Sequence, residues 1–215
     1  MDEFCVGCSR YRDGDLLGLA LAAVCVAPFL IVYHIALVAY LHRDGRALLL
    51  LVALLCNIAL GMAMKRVVKQ PRPRAMCSLL GTCEGYGMPS SHAQAVAFAA
   101  AALLSVRAGW ADPARPAASR RRPWRRVAEA ARPSMGREPG PLSAPLRALE
   151  PAFALLLTVA VAYGRVYLGY HTWAQVCVGA GLGLVGGVAS SVLLARTHRV
   201  WAPLLDRKLL DLVRD

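Results

Sequence analysis

Three short stretches of the chain carry side chains that could do chemistry together. In "KRVVKQPRP", Lys65 is followed seven residues later by Arg72, which abuts Pro73. "MPSSH" sets Pro89, Ser90 and Ser91 directly before His92, and "GRVYLGYHTWAQ" places Arg165, then His171 six residues on, then Gln175 four beyond it. Lysine and arginine hold anions, and imidazole attacks electrophiles or moves protons near neutral pH. What is missing is equally informative. Between Asp44 and Asp112 the only acid is Glu84, and between Glu150 and Asp206 there is none. A magnesium or two-metal centre needs several carboxylates, so neither a metal nor another cofactor is expected.

This inventory suits metal-free phosphoryl transfer through histidine. Lys65, Arg72 and Arg165 would bind phosphate, and Ser90 and Ser91, at the start of a helix with free N–H groups, would cradle it. His171 is assigned as nucleophile because Gln175, at i+4, can accept its second ring N–H and fix the tautomer. His92 is then the acid and base of a double displacement. Each stretch also has an ordinary explanation. Basic residues at helix ends are commonly snorkelling anchors, and Ser91 with Gln94 fits an S-x-x-Q capping box. Only convergence of the three on one face favours chemistry.

The elements that must bring them together are membrane helices. Of 215 residues, 57% are hydrophobic, with a mean hydropathy of +0.46, too apolar for a soluble globule. Leu16 to Leu41 is 26 residues without a formal charge and Ala47 to Met64 is 18 more, each long enough to cross a bilayer. Ser90 to Val106, Pro151 to Tyr170 and Thr172 to Ala195 supply three further spans. The expected fold is therefore all-α, a polytopic bundle of about five transmembrane helices forming a single domain over residues 1–215. Five crossings put the N-terminus, the 65–89 loop and the 165–171 turn on one side, with eight lysines and arginines against seventeen on the other. The positive-inside rule makes the first side lumenal or exoplasmic, and all three stretches lie there.

Residues 107–149, with ten arginines and seven prolines, read as a flexible cytoplasmic linker. A net charge of +12 invites nucleic acid as a partner, but no folded basic face is expected to accompany the arginines. Membrane lipids and a lipid phosphate are the expected partners. The first apolar run is too long for a signal peptide and reads as an uncleaved helix. Cys77 and Cys83 could form a disulfide in an oxidising compartment, whereas Cys5 and Cys8 make a lone CxxC poorly suited to zinc. Gly179, Gly183 and Gly187 form a small-residue stripe suited to close helix packing, and "LLDRKLLDLVRD" reads as a short amphipathic helix.

In these motifs the sequence resembles the type-2 phosphatidic acid phosphatase superfamily, which shares its core with vanadium haloperoxidases. Lys65, Arg72 and Pro73 match K-x6-R-P; Pro89, Ser90, Ser91 and His92 match P-S-G-H with serine for glycine; Gly164, Arg165, His171 and Gln175 match S-R-x5-H-x3-D with glycine for serine and glutamine for aspartate. The variant residues resemble the dolichyl diphosphatase branch. That resemblance implies hydrolysis of dolichyl diphosphate to dolichyl phosphate and phosphate at the lumenal face of the endoplasmic reticulum, recycling the carrier for N-glycosylation. Plant relatives in the plastid envelope imply the alternative of a phosphatidate or general lipid phosphate phosphatase. Gly164 and Gln175 also leave room for a non-catalytic lipid-binding member of the fold.

Overall fold

The computed structural model describes residues 3–6, 9–12, 14–41, 45–73, 85–107 and 143–211. Two short strands, β1 (Glu3–Val6) and β2 (Ser9–Arg12), pair antiparallel with Val6 opposite Ser9. Six helices follow among the described residues: α1 (Leu16–Val24), α2 (Ala27–Leu41), α3 (Gly45–Val68), α4 (Ser91–Arg107), α5 (Ser143–Tyr167) and α6 (Trp173–Asp211). Cys8, Cys77, Cys83 and residues 108–142 of the expected linker lie outside the described residues. The protein is a helical membrane bundle, as composition requires, with an N-terminal hairpin that no apolar pattern announced.

Among the described residues, four helical stretches are long and apolar enough to cross a membrane: Leu16–Leu41, Gly45–Val68, Leu149–Tyr167 and Trp173–Thr197. The first is broken at Cys25–Val26, where a continuous helix was expected. Pro28 explains the break. It has no N–H to give the carbonyl of Val24, and its ring would collide with that carbonyl, so α1 stops at Val24 and α2 restarts with the proline in its first turn. At the other end of α1, the Asp15 carboxylate accepts the Gly18 N–H at 2.7 Å and caps the helix. Outward-facing Phe29, Leu30, Tyr33, Val52, Phe153, Leu156 and Val185 are exposed, the surface a bilayer would cover.

Helix α4 has 17 residues, about 26 Å. It is also the most enclosed: Ala93–Phe98, Ala100, Ala101, Ala102 and Ser105 are all buried. Alanine on every face lets neighbours approach a central helix closely, which is why this span looks so plain in sequence. The closest neighbour is α6. A Cβ at Gly179, Gly183 or Gly187 would collide with the carbonyl oxygen of Ser90, Gln94 or Phe98 respectively, so the glycine stripe packs on the α4 backbone within the bundle.

The expected capping box at Ser91 and Gln94 does not form. Gln94 is fully buried and turns inward, its Nε2 donating to the Asn57 carbonyl (2.6 Å) and Oδ1 (2.9 Å). Asn57 Nδ2 in turn donates to the Leu182 carbonyl at 3.3 Å. Inside an apolar bundle an amide without a partner is costly, and this node, joining α3, α4 and α6, satisfies most of its polar atoms while setting helix register. At the far end, Arg107 of α4 pairs with Glu150 of α5. Helix α5 begins at Ser143, inside the expected linker, and α6 continues to Asp211, absorbing the separate C-terminal helix that was expected.

Two glycine substitutions separate tight from open positions on α6. Gly183→Ala should lower stability in detergent by roughly 1–3 kcal/mol, because its Cβ meets backbone. Gly181→Ala, with nothing within 4 Å, should be neutral or gain up to about 1 kcal/mol. Equal thermal unfolding midpoints for the two variants would contradict the packing.

Candidate active site

The antiparallel course of the helices gathers the C-terminal ends of α3 and α5 and the N-terminal ends of α4 and α6. The turn between α5 and α6 explains the spacing of Arg165 and His171. Gly169, at φ +73°, takes a left-handed conformation that reverses the chain. The His171 N–H then donates to the Arg165 carbonyl at 3.1 Å, so both side chains leave one tight turn. Thr172 opens α6 with a true capping box: its Oγ1 accepts the Gln175 N–H (3.3 Å), and Gln175 Oε1 accepts the Thr172 N–H (3.2 Å). That T-x-x-Q signal was present in the sequence and passed unread beside the S-x-x-Q one.

Gln175 is fully buried and joins all three stretches. Its Oε1 lies 3.2 Å from His171 Nδ1; since an amide oxygen only accepts, Nδ1 carries the proton and Nε2 is left with a lone pair. Its Nε2 donates to the Pro71 carbonyl at 2.8 Å, and its own carbonyl accepts the Ser90 N–H at 3.0 Å. Gly87 leaves the space this amide fills, because a Cβ there would lie 2.5 Å from both Gln175 Nε2 and Oε1. Arg72 Nη1 adds a long contact, 3.5 Å, to the Tyr170 carbonyl.

The cationic groups are half-buried to buried. Arg165 is 4% exposed; its guanidinium lies over the Tyr170 ring, 4.1 Å from the centroid, and Nη1 donates to Ser9 Oγ at 3.1 Å. Lys65 sits in the last turn of α3, half-buried. Lys65, Arg72 and Arg165 lie within electrostatic reach of both His92 and His171. Phe29 meets His92 edge-on with ring centroids 5.7 Å apart. Burial lowers the Arg72 pKa, while the neighbouring Tyr170 works the other way. Ser90 Oγ, His92 Nε2, Arg72 Nε and Arg165 Nε are buried without a hydrogen-bond partner among the described residues. Polar atoms so placed ordinarily have one, and a phosphate would supply acceptors to the donors among them. The N–H groups of Ser91, His92 and Ala93 precede the first helical bond of α4, Gln94 N–H to the Ser90 carbonyl at 3.0 Å.

Lys65, Arg72, Ser90, Ser91, His92, Arg165, His171 and Gln175 are thus all at one end of the bundle. Ser91 is half-buried in the first turn of α4. Three neighbours escaped sequence reasoning: Ser9, Tyr170 and Phe29. None belongs to a spacing pattern, and Ser9 and Phe29 reach the site only through the fold. Among the described residues, no three His, Cys, Asp or Glu side chains cluster as metal ligands.

Two measurements check this geometry. Gln175→Glu keeps size and acceptor but turns a lone pair toward the Pro71 carbonyl, so it should lower stability in detergent by about 1–3 kcal/mol; an unchanged unfolding midpoint would refute the clamp. The second concerns pH. Burial, then the charges of Arg165 and Arg72, hold His171 down at about 3, against a weaker upward pull from Gln175. Above about pH 6.5 the imidazole is neutral in both folded and unfolded chains. As pH falls from there toward 3, the unfolded chain takes up a proton that the folded site refuses, so stability falls. His171→Asn should flatten part of the decline in unfolding midpoint between pH 6.5 and 4, and an unaltered slope would count against it.

The profile of the PAP2 superfamily matches residues 46–199. Dolichyldiphosphatase 1 of Homo sapiens is 32% identical over 206 residues, covering 92% of this chain and 72% of that protein. A putative dolichyldiphosphatase of Neurospora crassa is 30% identical, covering 94% of this chain and 79% of its own. Lipid phosphate phosphatase gamma of Arabidopsis thaliana is 30% identical, covering 84% and 68%. No solved structure matches the chain. With a family match across most of its length and a buried cationic, two-histidine cluster at the end of a membrane bundle, the chain belongs to the PAP2 superfamily and is an integral membrane phosphatase.

Proposed function

We propose that this phosphatase hydrolyses dolichyl diphosphate to dolichyl phosphate and inorganic phosphate through a phosphohistidine on His171. The observation that carries the mechanism is the 3.2 Å contact from His171 Nδ1 to Gln175 Oε1, which leaves Nε2 as the ring nitrogen with a lone pair. In the first step Nε2 attacks the terminal phosphorus, the bond to the bridging oxygen breaks, and His92 delivers a proton to the departing dolichyl phosphate. In the second, His92 removes a proton from water as its oxygen attacks the same phosphorus; the P–N bond breaks and phosphate leaves. Lys65, Arg72 and Arg165 neutralise the equatorial oxygens, with Ser90, Ser91 and the α4 N–H groups completing the cradle. Losing one such donor costs roughly 3 kcal/mol of transition-state stabilisation.

The substrate assignment draws on dolichyldiphosphatases of about 30% identity, as in human and fungus. With the positive-inside count, it supports a site on the lumenal face of the endoplasmic reticulum, where the carrier used in N-glycosylation would be recycled. The Arabidopsis relative favours a second reading, a lipid phosphate such as phosphatidate in the plastid envelope. Both substrates hold a phosphate at the headgroup plane with the tail in the bilayer.

Phosphate release from dolichyl diphosphate and from phosphatidate, measured on one detergent preparation with EDTA present, decides between them. The diphosphate should be preferred, and EDTA should leave the rate intact. His171→Ala should cut kcat by about 10³-fold or more and abolish the acid-labile phosphoenzyme. Near-normal turnover by that variant would remove His171 from the mechanism.

A further inference from the structure

We propose that the N-terminal hairpin is part of the phosphate site, with Ser9 as a positioning residue for Arg165; the inference rests on Arg165 binding substrate phosphate. Ser9 is fully buried, and its Oγ accepts from Arg165 Nη1 at 3.1 Å although the two are 156 residues apart. The residue lies outside residues 46–199, which the family profile matches.

Two contacts fix the guanidinium. The Tyr170 ring covers one face at 4.1 Å. Ser9 holds one in-plane donor, while the buried Nε has no partner among the described residues. A guanidinium binds phosphate through a rigid planar fork, and pinning one corner of the plane aims the others. The hairpin is itself anchored beside the same helix end: Tyr11 packs on the cluster of Leu21, Ala22, Cys25 and Leu168, and Asp15 accepts from the Tyr167 hydroxyl at 3.2 and 3.3 Å.

Position 164 supports the same view. A serine there, as in the motif, would place its Cβ 3.2 Å from Cys25 Sγ and 3.4 Å from Leu21. Glycine lets α1 and its hairpin press against α5, and the hydroxyl beside the arginine then comes from Ser9 instead.

The test compares wild type, Ser9→Ala and Ser9→Thr for kcat, KM and the inhibition constant of inorganic phosphate. Ser9→Ala should lose about 5- to 50-fold in kcat/KM and raise the phosphate inhibition constant several-fold, and Ser9→Thr, which restores the hydroxyl, should recover most of both. Tyr167→Phe breaks the other anchor and spares the Arg165 contact, so its phosphate inhibition constant should stay within about twofold of wild type. Ser9→Ala matching wild type in all three quantities, or Ser9→Thr failing to rescue while folding normally, overturns the proposal. Should wild type release phosphate from neither lipid, the substrate reading fails; inorganic-phosphate binding isotherms of wild type and Ser9→Ala then decide the hairpin's role separately, equal affinities overturning it.

Discussion

The site hangs on one amide. Gln175 accepts from His171 and from the Thr172 N–H through one oxygen, donates to the Pro71 carbonyl through its nitrogen, and offers its own carbonyl to Ser90. Side chains from the end of α3, the start of α4 and the α5–α6 turn are therefore registered against a single residue. A carboxylate could take the acceptor half of this arrangement but not the donor half. The glutamine that departs from the superfamily motif is thus a structural answer to a backbone carbonyl 104 residues away, at the expense of the extra basicity an anion would lend the imidazole.

Such a junction needs a rigid frame, and the frame is built from absence of side-chain bulk. Alanine covers α4, and glycines at 179, 183 and 187 let α6 ride directly on its backbone. Hydrocarbon offers no hydrophobic force between helices, so close contact and buried hydrogen bonds must hold them. The Asn57, Gln94 and Leu182 node supplies the latter midway along the bundle. The cationic side chains of the site, Lys65, Arg72 and Arg165, sit at one end, where the helices finish.

The N-terminal region completes the site from outside the family core. The break at Pro28 divides the first span at the level where Cys25 approaches Gly164 and Phe29 meets His92. A straight helix over residues 16–41 would fix one approach direction for both; the kink lets α1 lean on α5 and α2 on α4 independently.

Much of this was legible in sequence because membranes are severe. Uncharged runs of 18 and 26 residues admit no other structure, and basic residues and histidines clustered at their ends point to the handling of an anion. Spacing also foretold the His171 to Gln175 contact, although His171 lies just before α6 and the contact is made across the capping turn at Thr172. Tertiary structure decided the rest. Whether Gln94 caps its own helix or crosses to Asn57, whether a proline merely decorates a helix or breaks it, and whether Ser9 meets Arg165 depend on which backbones come within a few ångströms. No local pattern encodes that distance, because it is set by the packing of side chains remote in the chain.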